Sequence, residues 1–293
     1  MPEKVTVSYR PRYYECDPLG QLHVANYVRW VIQAALEAGA PADLGKPDLP
    51  AHDWLARVGE IGLQIAHPIL FGETVDVQTW VSRQGPPVWR REFRLQRAGS
   101  DAAAALAFVD AFEDIEESEE DSDDEEFDTQ EPEPARSSPP AWDDPVQDPP
   151  QPPGHAFHAS WGAAWPYMDI SGQLEPGWLT QLAGDMEGRA GAIAHWGADR
   201  NLEYGITWQV LEHRLEMFVA VEPGDLLSVV SFIGDVGEED MIRHTLIVRP
   251  ENGRANEVAR MRTRWQCLES ASGQPCTIPD DWILQLEDQM SDE

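Results

Sequence analysis

The sequence predicts an α+β protein built from two related domains, each with one long helix packed against an antiparallel sheet. Three observations lead to this fold class. The chain contains an internal duplication, each copy carries a long apolar segment, and each copy then continues as a series of strand-like segments. One helix facing a run of antiparallel strands is an α+β layer. Because the helix is apolar on nearly all sides, we expect the sheet to wrap around it.

The duplication appears when the chain is aligned with itself at an offset of 152 residues, without a gap. Residues 5–111 then match residues 157–263 with 20 identities in 107 positions, about three times what average composition would give. "DPLGQL" at 17–22 falls on "DISGQL" at 169–174. A clustered, ungapped match of this length indicates two copies of a domain of about 110 residues.

In the first copy the predicted helix is "VANYVRWVIQAALEAG", residues 24–39. Its apolar residues are spaced close to 3.6 apart, and Gly39 is a normal helix terminator. The predicted strands alternate in polarity and are joined by Gly- and Pro-containing turns. They are residues 4–10, 61–70, 73–84, 88–97 and 102–112 in the first copy, and 208–221, 225–236, 240–250 and 255–269 in the second.

A strongly acidic, proline-rich tract separates the two copies. Residues 113–148 hold 17 acids and one base, and nine prolines lie between Pro132 and Pro153. Like charges repel and prolines block helix and sheet ladders, so a disordered or extended linker is predicted, in preference to a docking tail for a basic partner. The predicted boundaries are 1–114 for the first domain, 115–155 for the linker and 156–293 for the second domain.

Composition restricts the classes of function. The formal net charge is −32, so a nucleic-acid partner, which needs a basic face, is not expected. No apolar run is long enough to span a membrane, and the N-terminal residues lack the apolar stretch of a signal peptide. The three cysteines have no metal-type spacing and fit a reducing compartment. We therefore expect a cytoplasmic protein without a metal or cofactor.

The stretch "YYECDPLGQLHVANYVRW", residues 13–30, places polar groups at the start of a helix that is predicted to be buried. Such groups are costly to bury unless they are paired or used. A helix N-terminus also offers free backbone N–H groups and a positive dipole end. The residues alone leave two readings open: helix caps and anchors, or a reaction site where a carboxylate acts beside these donors.

This stretch resembles the hotdog-fold thioesterases of the 4-hydroxybenzoyl-CoA thioesterase type and their tandem relatives, the acyl-ACP thioesterases. The resemblance is carried by Tyr14, Asp17, Gly20, Asn26 and Tyr27, with "FGETVDV" as the later turn and strand. Many members have histidine directly after the glycine, where this chain has Gln21, and here the histidine is His23. The resemblance implies two tandem hotdog domains, each a long central helix wrapped by an antiparallel sheet, and hydrolysis of acyl thioesters.

The resemblance also implies roles for individual residues. Asp17 would be the general base or nucleophile, and backbone N–H groups from Gly20 to Val24 would hold the oxyanion. His23 and Asn26 would orient water or the thioester, which makes Asp17, His23 and Asn26 the expected catalytic residues. The expected substrate-binding residues within the stretch are Gly20, Leu22 and Tyr27.

The expected substrate is an acyl group on coenzyme A or on an acyl carrier protein. Both carriers are anionic, so a local basic patch would have to offset the negative charge of the chain. Arg90 and Arg94 share one face of the strand at 88–97 and are candidates for this patch, although a solvated strand face is the other reading. The 12 tryptophans suit an apolar acyl channel, although aromatic residues are more often core.

The second copy has lost most of the motif. It keeps Asp169 and Gly172, but the positions of His23, Asn26 and Tyr27 hold Glu175, Trp178 and Leu179. We therefore expect one active site, centred on Asp17, with the second copy mainly structural and forming one wall of the cleft. Asp185 and Glu187 on its helix face either that cleft or solvent.

Two other functions stay open at this point. One is a tandem hotdog protein that binds acyl groups or a partner without catalysis, and the other is a hotdog dehydratase or hydratase that acts on acyl thioesters. The residues do not decide the acyl length, the carrier or whether two chains pair as a homodimer.

Overall fold

Ten antiparallel strands form one continuous sheet, and two long helices pack against it. The computed structural model describes residues 4–40, 49–83, 88–112, 149–153, 156–193, 196–251 and 254–284. Most of the predicted linker, residues 115–148, lies outside the described residues. The predicted domain boundaries therefore stay a prediction.

Among its described residues, the first half contains five strands, two helices and a short 3₁₀ turn. In chain order these are β1 (Val5–Tyr9), the turn Tyr13–Glu15, α1 (Val24–Glu37), α2 (Ala51–Leu55), β2 (Val58–Ile65), β3 (Val75–Arg83), β4 (Val88–Arg97) and β5 (Ala103–Phe112). The second half repeats this order as β6 (Phe157–Gly162), the turn Trp165–Tyr167, α3 (Pro176–Ile193), α4 (Ala198–Glu203), β7 (Ile206–Met217), β8 (Leu226–Val236), β9 (Asp240–Glu251) and β10 (Arg254–Glu269). The duplication seen in the sequence is thus a duplication of structure.

A pseudo-twofold axis relates the two halves. The strand order is β1-β3-β4-β5-β2-β7-β10-β9-β8-β6, so β2 and β7 join the halves at the centre of the sheet. In this pair Gly62 lies opposite Arg214, which is its own equivalent at the 152-residue offset. Helices α1 and α3 obey the same axis, because Arg29 donates to its equivalent Gln181 over 3.4 Å. A residue faces its own equivalent only near a twofold axis.

Helix α1 forms where the apolar spacing predicted it. The side chain of His23 caps its N-terminus by accepting from Ala25 N–H, and Gly39 follows its last residues with a φ of +77°. The helix is buried on the side facing the sheet and on the side facing α3, and residues such as Val28 and Val31 are fully buried. Among side chains of α1, those of Gln33 and Glu37 are exposed.

The predicted strands are confirmed, with shifted ends in two places. Strand β2 begins at Val58 and ends at Ile65, whereas the alternation predicted 61–70. It ends early because the backbone N–H of Ile69 turns to the hydroxyl of Tyr27, 2.9 Å away, instead of to a neighbouring strand. Strand β7 likewise ends at Met217. In the part of the chain that the structure describes, no helix combines the length and apolarity that a membrane span requires.

The sheet junction predicts a specific sensitivity at Gly62. A Cβ added there would lie 2.1 Å from the ring of Phe108, which is fully buried. Gly62→Ala should therefore lower the free energy of unfolding by about 1–3 kcal/mol through overpacking. Gly188→Ala in α3 is the matched control, because an added Cβ meets no atom within 4 Å and alanine favours the helix. Urea unfolding of both variants checks this, and similar losses in the two would contradict it.

Candidate active site

The loop before α1 is built around Asp17. The Oδ1 atom of Asp17 accepts hydrogen bonds from the backbone N–H groups of Leu19 at 2.8 Å and Gln21 at 2.9 Å. Gly20 closes the turn at a φ of +77°, and its N–H donates to the Asp17 carbonyl over 2.9 Å. One carboxylate oxygen of Asp17 is therefore engaged in holding the loop.

The second half forms the same turn with its retained acid and glycine. Asp169 Oδ1 accepts from Ser171 N–H at 2.7 Å, and Gly172 has a φ of +79°. Because both halves use the acid in this way, the shared acid–glycine spacing is explained by loop geometry. The residues that differ between the halves are the better guide to chemistry.

The backbone N–H groups from Gly20 to Val24 were expected to hold an oxyanion. Four of them are hydrogen-bonded within the protein: those of Gly20 and Gln21 to Asp17, that of Leu22 to Ile69 and that of His23 to Glu15. The N–H of Val24, at the first turn of α1, has no acceptor among the described residues. The expected set of donors thus reduces to this one group at the helix N-terminus.

His23 is oriented by the helix that it caps. Its Nδ1 accepts from Ala25 N–H at 3.3 Å, so the neutral ring carries its proton on Nε2. Nε2 points toward α3 and lies 3.3 Å from where a Cβ on Gly184 would be. Burial lowers the pKa of His23, and the carboxylates of Asp185 and Asp17 partly oppose this shift. At neutral pH the ring therefore presents an Nε2–H donor beside α3.

A cavity of about 720 Å³, here called the His23 cavity, opens at this point. Among the described residues, His23 is the one lining residue from the first half, and the rest belong to the second half. Helix α3 leaves room for the cavity with Gly184 and Gly188, where α1 has Ile32 and Leu36, and Gly191 lines the cavity as well. Much of the wall is aromatic and comes from Phe157, Trp196, Trp208, Phe232, Trp265 and Trp282.

The cavity also contains a carboxylate and a buried cation. Glu187 lies three residues after Gly184 and so on the same face of α3, about one turn from the His23 ring. Burial raises the pKa of Glu187 to about 7, and the charge of Arg243 opposes part of that rise. Arg243 is buried and donates to Ser231 Oγ over 3.3 Å. A carboxylate that titrates near neutrality is suited to general base catalysis.

Comparison with known proteins adds the fold family. No protein-family model matches the sequence, and no curated protein matches it either. The structure is similar to the 12:0-ACP thioesterase from Umbellularia californica, with a TM-score of 0.65, 14% identity and coverage of 90% of this chain and 97% of that one. An acyl-ACP thioesterase from Bacteroides thetaiotaomicron gives a TM-score of 0.59, 15% identity and coverage of 90% and 98%.

This chain has the fold of the acyl-ACP thioesterases.

Within this fold, the other residues of the motif make contacts with the surrounding protein. Asn26 is buried between the Glu15 carbonyl, which accepts from its Nδ2 at 2.9 Å, and Arg29, which donates to its Oδ1 at 2.9 Å. The Tyr27 hydroxyl accepts from Ile69 N–H, and burial raises the pKa of Tyr27. Leu22 is buried in the core. Of the predicted residues in the motif, the structure brings His23 to the cavity.

Arg90 and Arg94 lie on the outer face of β4, opposite the buried Phe93. Arg90 donates through Nε and Nη2 to the two carboxylate oxygens of Asp110, each over 2.7 Å, so its charge is already compensated. Arg94 donates to Gln96 and to the Asp101 carbonyl. The structure does not bring these two arginines to the His23 cavity.

The site related to the His23 cavity by the pseudo-twofold axis lies at the N-terminus of α3 and is lined by different residues. Glu175 takes the place of His23, and Arg29 Nε donates to its two carboxylate oxygens over 3.1 and 3.0 Å. Burial raises the pKa of Glu175, and Arg29 opposes this shift. The two residues line a groove of about 650 Å³. The halves therefore present a histidine–glutamate combination at one position and a paired glutamate–arginine at the other.

For two residues of the cavity, the sequence pattern carries only a weak signal. Glu187 was considered there with both readings open, and the structure places it in the cavity wall. Arg243 was not singled out, although it is the retained equivalent of Arg91. The sequence does carry a signal for Glu187, because this acid on the second helix takes the place of Ala35 on the first. In the described part of the chain, no group of three or more His, Cys, Asp or Glu side chains could hold a metal ion.

A buried polar triad formed by Thr180, His213 and Thr263 lies near His23. Thr180 donates to the Pro176 carbonyl and therefore accepts from His213 Nε2, 3.3 Å away, while Thr263 donates to His213 Nδ1 over 3.0 Å. Burial, together with the nearby ring of His23, lowers the pKa of His213 to about 3. The equivalent residues in the first half are apolar: Val28, Ile61 and Ala111.

The triad predicts a loss of stability in acid. Between the ordinary His pKa of 6.5 and about 3, the unfolded chain binds a proton at His213 that the folded chain does not. Stability from this group is therefore complete above pH 6.5 and falls by about 1.4 kcal/mol per pH unit as the pH drops.

The variant His213→Ile with Thr180→Val and Thr263→Ala installs the residues of the first half and should flatten this part of the pH dependence. Urea unfolding at several pH values between 7 and 4 measures it. His67→Gln, at an exposed histidine, is the control. An unchanged slope in the triple variant would contradict the assignment.

Proposed function

We propose that this protein hydrolyses acyl thioesters in the His23 cavity and that its two halves are tandem hotdog domains. One observation carries most weight. His23, which presents an Nε2–H donor, and Glu187, whose pKa is about 7, line the same large aromatic cavity. The fold shared with acyl-ACP thioesterases supports the same reaction class. Ligand sites commonly combine an apolar volume with a few convergent polar groups.

The acyl chain would occupy the aromatic part of the cavity. Its thioester carbonyl would then lie beside His23 Nε2–H, and we assign Val24 N–H, at the first turn of α1, as a second donor. The helix dipole adds a positive potential at the same place. Together these groups would stabilise the negative charge that develops on the carbonyl oxygen during attack.

Glu187 is the proposed general base. Its carboxylate would take a proton from a water molecule as the water oxygen bonds to the carbonyl carbon. The tetrahedral intermediate would then break its carbon–sulfur bond, and the leaving thiolate would receive a proton to give free acid and thiol. The sequence-based prediction gives this role to Asp17, but its Oδ1 accepts from two backbone N–H groups, which favours a role in the loop. We assign Asp17 to positioning the loop that carries His23 and Val24.

Acyl carrier protein and coenzyme A both remain in the proposal as carriers. The two structural neighbours described above are both named as thioesterases of acyl-ACP. The chain itself has a net charge of −32, so either anionic carrier meets overall repulsion. Assays should therefore supply both carriers with the same acyl group.

Replacing Glu187 and Asp17 separately by their amides distinguishes the proposed general base from the residue that holds the loop. Glu187→Gln should lower kcat by about a hundredfold or more, because it removes the proton acceptor and keeps the shape. Asp17→Asn should act through the loop, with a smaller loss of turnover accompanied by a lower melting temperature. Asp169→Asn is the matched control, because it perturbs the equivalent turn on the side without His23. Thiol release from acyl-CoA and acyl-ACP, with thermal melts, measures all three.

Each contrary outcome has a defined meaning. A hundredfold loss in well-folded Asp17→Asn with little change in Glu187→Gln would return the base to Asp17. Acyl binding without thiol release in the unmodified protein would replace hydrolysis by a binding function. Conversion of enoyl thioesters without thiol release would indicate a hydratase.

The role of Arg243 predicts a shift in the pH profile. The base must be ionised to act, so the rate should rise as the pH increases through about 7. Arg243 favours the ionised form of Glu187. Arg243→Met should therefore move the midpoint of the profile upward by about one pH unit or more. Arg243→Lys keeps the charge and should leave the midpoint close to that of the unmodified protein, and a midpoint unchanged in Arg243→Met would exclude this role.

A further inference from the structure

We propose that Cys267 and Cys276 form a reversible disulfide bond that fastens the aromatic wall of the His23 cavity. This modification site is independent of the proposed hydrolysis. Its evidence is the placement of two thiols and the cluster of side chains to which they belong.

The two cysteines face each other across a short hairpin. Cys267 lies near the end of β10, and its carbonyl accepts from Cys276 N–H over 3.0 Å. Leu268 and Pro275 form the adjoining bridge. The sulfur atoms are 3.5 Å apart, so the backbone already holds them in contact. A disulfide requires an approach of about 1.5 Å more, which is within the range of side-chain rotation.

The hairpin carries the segment that closes the cavity. Cys267 is fully buried in a small second core with Trp196, Ile278 and Trp282, against which Cys276 also packs. Trp196 and Trp282 line the His23 cavity, as do four other members of the same cluster: Trp208, Ile233, Met241 and Trp265. A bond between the two sulfurs would therefore tie the segment that bears Trp282 to β10.

The two thiols have different access to solvent. Cys276 is partly exposed, whereas Cys267 has no exposed surface. Burial and the hydrogen bond with Cys276 raise the pKa of Cys267 to about 12. Because the thiolate is the reactive form, Cys276 is the residue that a small oxidant reaches first, and Cys267 completes the bond more slowly.

The reaction balances with a low-molecular-weight disulfide as oxidant. The Cys276 thiolate attacks one sulfur of this compound, forms a mixed disulfide and expels one small thiolate. The Cys267 sulfur then attacks Cys276 Sγ and expels the second small thiolate. The two protons of the cysteines pass to the two leaving groups, so the protein loses two hydrogen atoms and the oxidant is reduced to two thiols.

The experiment treats the full-length protein with oxidised glutathione, removes the excess and counts free thiols after denaturation. The unmodified chain has three cysteines and should retain one, Cys16, with a mass lower by two hydrogen atoms. Cys16→Ser should retain none. Cys276→Ser and Cys267→Ser should each be unable to form the internal bond. The oxidised protein should melt about 5 °C higher than the reduced protein, and dithiothreitol should reverse this change.

Several results would overturn the proposal. Three free thiols after treatment would show that the pair does not react. A stable glutathione adduct on Cys276 would show that the two sulfurs cannot meet. Loss of thiols in Cys276→Ser equal to that in the unmodified chain would assign the reaction to Cys16. None of these readouts depends on thioester hydrolysis, so failure here and failure of the proposed function can be told apart.

Discussion

The pairing of β2 with β7 around the Gly62–Arg214 position is the constraint on which the rest of the molecule depends. It fixes the register between the halves, and a shift by one residue would reverse the face of every side chain in those strands. With this register set, α1 and α3 must cross where Arg29 meets Gln181. The N-terminus of each helix then lies beside the middle of the other, which brings His23 to Gly184. The candidate site is a consequence of this symmetric packing.

The two halves differ in the size of the side chains that their long helices place near the pseudo-twofold axis. The first half keeps bulky side chains on α1, at Ile32 and Leu36, and contributes a capping histidine. The second half has Gly184 and Gly188 at the equivalent positions and surrounds the resulting space with tryptophans. One half therefore supplies the group at the helix N-terminus, while the other supplies the volume. At the opposite position the pair Arg29–Glu175 balances its own charge.

Buried polar groups follow the same division. Thr180, His213 and Thr263 satisfy one another where the first half packs apolar residues, and Glu187 and Arg243 both line the cavity. Such groups are expensive to bury and add little to stability when paired. Their number in the second half fits the proposal that this half supplies part of the catalytic site. The sequence alone predicts the reverse, a mainly structural second half, because that half has lost the motif residues.

The sequence by itself determined the repeated unit, the fold class, the helix α1 and nearly all strands. These features depend on local periodicity and on identities at a constant offset, which are properties of the chain alone. It also identified His23, because a histidine at a helix start is visible as a pattern. Only the tertiary structure decided that Asp17 closes a turn, that Asn26 and Tyr27 anchor the loop, and that Arg90 is bound by Asp110. It alone joined His23 to Glu187 and Arg243, residues more than 160 positions away, because their proximity follows from the pseudo-twofold packing and leaves no trace in local spacing.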